Sequence, residues 1–307
     1  MEQSQTTPAS ATGWQKWPEN PVLGGKLGSC FDLAVLHDNG RYRMWFSWRP
    51  RKSVALVEST DGVHWSDPLI VLSPITSGWE DEVNRPIVVK RDDGYHMWYT
   101  GQTFESETAG HSSLGYAVSA DGLTWVRPQP HPVLLPTEPW EGVAVMCPHV
   151  LWDDLTQQFL LWYSAGEQYE PDAIGFAISC DGRAWEKHTA NPIFRADPHH
   201  SWEQQKVTAC QVTPYHDGYV MFYIGFADID HAQIGLAWSP DGITHWRRFP
   251  TNPILSPGAG ACDWDHDAVY KPYALLDGNR WLLWYNGRRG TVEQIGLAVH
   301  EGAELGI

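Results

Sequence analysis

Positive charge is scarce in this sequence: 21 lysines and arginines face 37 aspartates and glutamates across 307 residues, a formal net charge of −16. Such a surface repels polyanions, which argues against nucleic acid and anionic membrane surfaces as partners. Long apolar runs are missing as well. None approaches the ~18 residues that a membrane-crossing helix needs, so no membrane partner is expected. Residues 1–12 are polar and hold no apolar stretch like that of a secretory leader. Cysteine is sparse, and Cys30, Cys147, Cys180, Cys210 and Cys262 form an odd set without a Cys-x-x-Cys pair. That reads as reduced thiols and, with the missing leader, predicts a cytoplasmic protein. His-Glu-x-x-His, a phosphate-binding glycine loop and a dinucleotide fingerprint are all absent, so no cofactor is expected.

Tryptophan, by contrast, is abundant, with 18 residues. Its flat face suits sugar stacking, yet most of these residues recur once per internal repeat and read as core. The repeat itself is a Ser-x-Asp-Gly turn followed by Trp: Ser59/Asp61-Gly62/Trp65, Ser119/Asp121-Gly122/Trp125, Ser179/Asp181-Gly182/Trp185 and Ser239/Asp241-Gly242/Trp246. The Asp-Gly pairs are spaced by sixty residues each time. A regular period overrides a two-domain guess from length.

Each repeat reads as an inner strand, a tight polar turn (Asn-Gly or Asp-Gly in four, Asp153-Asp-Leu-Thr in the third), a second strand, a third strand and an outer strand after the Trp. The fold expected is all-β, a five-bladed β-propeller. The segment from Trp14 to Pro21 copies Trp185 to Pro192 and Trp246 to Pro253, with no three strands before it. The last repeat lacks an outer strand. Residues 13–18 are therefore expected to supply it, closing the last blade and covering its edge. Residues 1–12 are expected to be a disordered tail, and 13–307 a single propeller domain. The short, alike turns lie on one face of the ring. The long, dissimilar loops lie on the other, where a site belongs.

These motifs, among them Tyr95-His-Met-Trp-Tyr-Thr-Gly, Ile174-Gly-Phe-Ala-Ile-Ser-Cys-Asp-Gly and Trp284-Tyr-Asn-Gly, resemble the five-bladed propeller glycosidases. That superfamily comprises glycoside hydrolase family 43, the invertase-like fructosidases and the mannoside phosphorylases. The resemblance spans all repeats and implies a carbohydrate substrate. The Asp-Gly turn is one residue short of a sialidase Asp-box.

Aligning the inner strands on Leu33, Pro86, Pro148, Cys210 and Pro272 separates frame from site. The recurring carboxylates of Trp79-Glu80, Trp140-Glu141, Trp202-Glu203 and Trp264-Asp265, and those of the Asp-Gly pairs, read as structural. The position before the alignment point does not repeat: Asp32, Arg85, Cys147, Ala209, Lys271. One residue earlier stand Phe31, Asn84, Met146, Thr208 and Tyr270. Buried charges are costly unless paired or functional, so this ring reads as a pocket floor, or alternatively as an ion pair of Asp32 with Arg85 or Lys271. The resemblance implies that Asp32 is the nucleophile or the base for water, although Leu33 replaces the proline that follows it.

Glycoside cleavage needs a second carboxyl group as acid. The invertase-like Glu-Cys-Pro is Met146-Cys147-Pro148 here, so the resemblance supplies none. Among the non-repeating acids Asp81, Glu82, Glu167, Asp228 and Asp267, Glu82 is preferred and Asp267 comes second. Asn84, Arg85, His149, Lys206, Tyr270, Lys271 and Arg288 are the candidate substrate contacts. The cations of this face, with Arg49 and Arg289, suggest an anionic group in the substrate, or phosphate as the attacking species. Asp263-x-Asp265-x-Asp267 has the alternation of calcium ligands without an EF-hand's glycine and closing glutamate. The leading reading is a hydrolase of a small furanoside or oligosaccharide. The alternatives are an inverting phosphorylase and a non-catalytic sugar-binding propeller.

Overall fold

A computed structural model describes residues 12–75, 78–104, 110–167 and 171–306. The tail expected at residues 1–12 lies outside them except for Thr12. A short strand, β1 (Trp14–Lys16), comes first. Five antiparallel meanders follow. The first holds β2 (Cys30–Asp38), β3 (Arg41–Trp48), β4 (Ser53–Ser59) and β5 (Leu69–Leu72), and the second β6 (Glu82–Arg91), β7 (Gly94–Gln102) and β8 (Ser112–Ser119). The third holds β9 (Ala144–Asp153), β10 (Gln158–Gly166), β11 (Pro171–Ser179), β12 (Glu186–Lys187) and β13 (Phe194–Arg195). The fourth holds β14 (Lys206–Tyr215), β15 (Gly218–Phe226), β16 (Ala232–Ser239) and β17 (Arg247–Arg248), and the fifth β18 (Ala268–Asp277), β19 (Arg280–Arg289) and β20 (Val292–Glu301). The outer strands are shorter than the motif suggested, and in the second meander they are reduced to the isolated bridges Val118–Val126 and Leu114–Leu134. Among the described residues no helix is long and apolar enough to cross a membrane.

The last meander is completed from the chain's start. Trp14, Gln15 and Lys16 pair antiparallel with His300, Val299 and Ala298. Asn20 then clips the same strand, its amide donating to the Leu297 carbonyl and accepting from the Leu297 N–H, both at 2.8 Å. Asn191 and Asn252 grip Phe176 and Leu236 in the same way. The repeated Asn-Pro is thus a two-point backbone clip.

Tryptophans of the second strands stitch neighbours together. Trp45, Trp98 and Trp162 donate to the carbonyls of Gly122, Gly182 and Gly242 in the following meander. Trp284 donates to Gly62, from the last meander back to the first, and so closes a ring. Each of those glycines has φ near +70°, and a Cβ on Gly182 would stand 2.6 Å from the Trp98 ring. Glycine is needed there for conformation and for space.

A second stitch explains the recurring Trp-Glu pairs. The Trp-x-Lys/Arg at the head of each outer segment supplies a cation to a buried carboxylate: Arg127 to Glu80 at 2.9 Å, Lys187 to Glu141 at 2.6 Å, Arg248 to Glu203 at 2.5 Å and Lys16 to Asp265 at 2.6 Å. The first copy has neither member, since Asp67 follows Trp65 at the cation's place. Acid and base come and go together.

The Asp-Gly turns make stability depend on acid. The Asp121 carboxyl is held down to about 2 by the Thr124 and Leu123 N–H groups, and that of Asp61 is lowered chiefly by the backbone and side chain of His64. A carboxyl lowered on folding stabilises the fold above its unfolded value, and that contribution is lost as pH falls through the folded value. Urea midpoints are therefore expected to fall between about pH 4 and pH 2. Asp121→Asn should flatten that slope; an unchanged slope refutes the assignment.

Candidate active site

The position singled out before the alignment point is strained in every meander. Asp32, Arg85, Cys147, Ala209 and Lys271 have φ of 45°, 54°, 52°, 34° and 48°. Left-handed backbone at a non-glycine residue costs on the order of 1–3 kcal/mol. Register shifts flank four of the five sites, the mark of a β-bulge that re-aims a side chain. The bulges are held from the neighbouring second strand. The N–H groups of Arg85, Cys147 and Ala209 donate to Ser47 Oγ, Thr100 Oγ1 and Ser164 Oγ at 2.7, 3.2 and 2.8 Å. The Asp32 N–H donates to Asn286 Oδ1 at 3.0 Å, again from last meander to first. The fifth counterpart is Ile224, which has no polar atom to offer Lys271.

Four of the five bulge residues, Asp32, Arg85, Cys147 and Ala209, line a cavity of about 270 Å³. Its walls come from the starts of first and third strands and the ends of second strands, on the face of the long loops. Asp32, Glu82, Arg85, Tyr270 and Arg288 all line it. Asp32 is 4% exposed. Its Oδ1 accepts from Asn286 Nδ2 at 2.7 Å and its Oδ2 lies 2.9 Å from Arg85 Nε. The ion pair weighed as an alternative therefore exists, and it sits in the cavity. Arg85 also donates to Asn84 Oδ1 at 2.7 Å and to Gln102 Oε1 at 3.1 Å. Asn84, behind the wall, donates to Glu82 Oε1 at 3.1 Å. Glu82 Oε2 has no hydrogen-bond partner among the described residues.

One wall residue was missed. Glu293 lines the cavity; its Oε2 accepts from Arg49 Nε and Nη2 at 2.9 and 2.6 Å, and its Oε1 from the Tyr270 hydroxyl. The Arg49 guanidinium also lies 4.2 Å from the centre of the Phe31 ring. Burial and the adjacent Glu293 push the Tyr270 hydroxyl far above its usual value, so it remains a donor. The signal was available. Aligned on the third strands, this position reads Lys52, Ser112, Asp172, Ala232, Glu293, as irregular as the bulge position.

Other expectations are corrected. Asp267 does not reach the cavity: its Oδ2 accepts from the Gly290 N–H at 2.6 Å, capping a hairpin turn beside a separate shallow depression. His149 is buried between meanders, its Nε2 2.6 Å from the Val212 carbonyl. Burial pushes its imidazole down to about 3, so it is neutral and out of a sugar's reach. Lys206 is not a wall residue and stands 3.8 Å from Asp172 and 3.9 Å from Glu167. Lys271 is buried and likewise absent from the wall. The Asp263–Asp265–Asp267 alternation diverges: Asp263 caps Gly260, Asp265 pairs with Lys16 and Asp267 serves Gly290. Among the described residues no three His, Cys, Asp or Glu side chains gather as metal ligands do. Cys147 does line the cavity, but burial pushes its thiol up, so it is a poor nucleophile.

The family comes from the sequence itself. The model for the glycosyl hydrolases family 32 N-terminal domain matches residues 34–203, more than half of the chain. The chain belongs to this family. The family match begins two residues after Asp32. An uncharacterized protein of Mycobacterium tuberculosis is 25% identical over 178 residues, covering 54% of this chain and 56% of that protein. The chain thus spans about half the length of that curated relative. A thermostable family-43 glycoside hydrolase of known structure shares 18% identity at a TM-score of 0.70, covering 91% of each chain. The beta-1,2-mannobiose phosphorylase from Listeria innocua shares 14% identity at a TM-score of 0.72, covering 94% of this chain and 96% of its own. At those identities the likeness is one of fold: a β-propeller of the glycosidase and phosphorylase type.

Proposed function

We propose that this chain cleaves a glycosidic bond, using Asp32 as nucleophile or base and Glu82 as the proton donor, within a single five-bladed ring spanning residues 13–307. The observation that carries the reading is Asp32 itself. It is nearly buried, aimed into the cavity by a strained bulge, and anchored through both oxygens by Asn286 and Arg85. A carboxylate so fixed meets an anomeric carbon or a water in one orientation, and orientation supplies much of such a reaction's acceleration. Glu82 fits the acid because one oxygen is steadied by Asn84 while the other is free to reach a leaving oxygen. Glu293 has both oxygens engaged by Arg49 and Tyr270, which suits holding sugar hydroxyls in place better than donating a proton. Five unpaired cysteines support a reducing, cytoplasmic setting.

A second reading, phosphorolysis, is favoured by Arg288. It lines the cavity and donates to a neutral partner, the Asp230 carbonyl, at 2.7 Å, while the Asp230 carboxylate is 3.9 Å away. Arg49 and Arg85 are matched by Glu293 and Asp32, so of the three wall arginines Arg288 is the freest to take a phosphate or an anionic sugar. A panel of oligosaccharides and aryl glycosides, run with and without phosphate, separates the two readings. Turnover that needs phosphate identifies the phosphorylase. Glu82→Gln should lower kcat/KM by about 10²–10⁴-fold on substrates with poor leaving groups, and far less on nitrophenyl glycosides, which leave without protonation. Equal losses on both would remove Glu82 as the acid.

A further inference from the structure

The cavity has two unlike halves. The first, second and fifth meanders contribute Asp32, Glu82, Arg85, Tyr270, Arg288 and Glu293. Phe31 and Phe104 stand among them, while the third and fourth meanders contribute Pro171, Ile224, Phe226, Ile229 and Ala232. Not one of the 18 tryptophans lines the cavity. The tryptophans are used in the frame, and smaller apolar groups, Phe226 the one ring among them, form this side. Among the described residues these side chains offer a sugar hydroxyl nothing to bond, and burying an unpaired hydroxyl is costly.

Ile224 shows that this side is built rather than incidental. Its counterparts Ser47, Thr100, Ser164 and Asn286 each accept from the N–H of the next bulge. The fourth meander forgoes that bond, worth about 1 kcal/mol, and presents a branched hydrocarbon to the cavity instead. Ile229 extends the apolar side outward from the loop after β15, where it is exposed. At the border between the halves, Thr208 lines the cavity, is 4% exposed, and its Oγ1 has no partner among the described residues. That oxygen is itself closed off from the cavity, with less than 1 Å² exposed.

We propose that the substrate is an amphiphilic glycoside: one sugar in the polar half and an apolar aglycone of about one ring against Ile224, Phe226 and Ile229. The inference rests on the glycoside reading above and narrows it. A cavity of about 270 Å³ has room for such a two-part molecule.

The test uses matched pairs of cyclohexyl and methyl glycosides of several sugars. Cleavage is measured on the wild type, and binding by calorimetry on Asp32→Asn. Cyclohexyl should bind at least about tenfold tighter than methyl, as burying several methylenes predicts, with kcat/KM favouring it likewise. Ile229→Ser, on an exposed loop, and Ile224→Thr, which restores a cap, should each cut that ratio severalfold. Equal binding of the two aglycones, or no binding of either, overturns the proposal. If cyclohexyl ligands bind preferentially but nothing is cleaved, the glycosidase reading fails and the amphiphilic pocket stands. If both are cleaved alike, the reverse holds.

Discussion

Asp32→Asn is expected to lower kcat/KM by at least about a thousandfold, a loss typical of removing a nucleophile or general base. The fold should survive. Asparagine is nearly isosteric, and the bulge is held through the backbone N–H of residue 32 by Asn286, a bond that the substitution leaves in place. Arg85 loses its counter-charge but keeps Asn84 and Gln102 as acceptors, so the polar wall is not expected to collapse. Kinetics and calorimetry on the same variant decide the matter. Lost turnover with affinity changed less than about tenfold supports catalysis by Asp32. Turnover within tenfold of the wild type would remove it, and a wild type that binds sugars without ever cleaving them would leave a binding protein.

Lys16→Ala is expected to have the largest effect on stability. It strips the cation from Asp265, which is 2% exposed and would keep only the Tyr285 hydroxyl at 3.1 Å. Breaking a buried pair from one side typically costs about 3–5 kcal/mol. Because the Lys16 side chain is 29% exposed, water offsets part of this, and about 2–4 kcal/mol is expected. Adding Asp265→Asn should restore much of the loss, since the penalty belongs to the stranded charge. Urea unfolding of the two single variants and the double variant measures this coupling. Additive losses would mean that the pair does not bind β1 to the last meander.

What could be read from the residues was whatever recurs. The Asp-Gly turns, the Trp-Glu pairs and the Asn-Pro clips repeat because each meander meets the same physical demand, so one copy explains the others. The pocket floor was legible for the opposite reason: Asp32 and Arg85 stand where the copies differ. That contrast finds positions and not directions. Cys147 and His149, two apart, would share a face of a regular strand, but the bulge resets the alternation. The thiol meets the cavity and the imidazole packs between meanders. Asp267 is singular in sequence because it caps a turn, a role that spacing does not distinguish from catalysis. Glu293 was overlooked because only inner strands were compared, although the third strands carry the same kind of irregularity. The aliphatic half stayed hidden for a related reason. An isoleucine on a strand reads as core until its counterparts are seen to be polar.

The pairing of β1 with β20 has a consequence for how the protein is made. Trp14 leaves the ribosome 286 residues ahead of its partner His300. At about 5–20 residues per second, roughly 15–60 s separate them. Through that interval the nascent chain holds an indole and half of a buried ion pair with nowhere to go, while four meanders assemble without a finished circle. Closure of the ring thus waits until β20 has emerged, and a chaperone that shields β1 through that interval is expected to raise yield more than one acting after β20 is made.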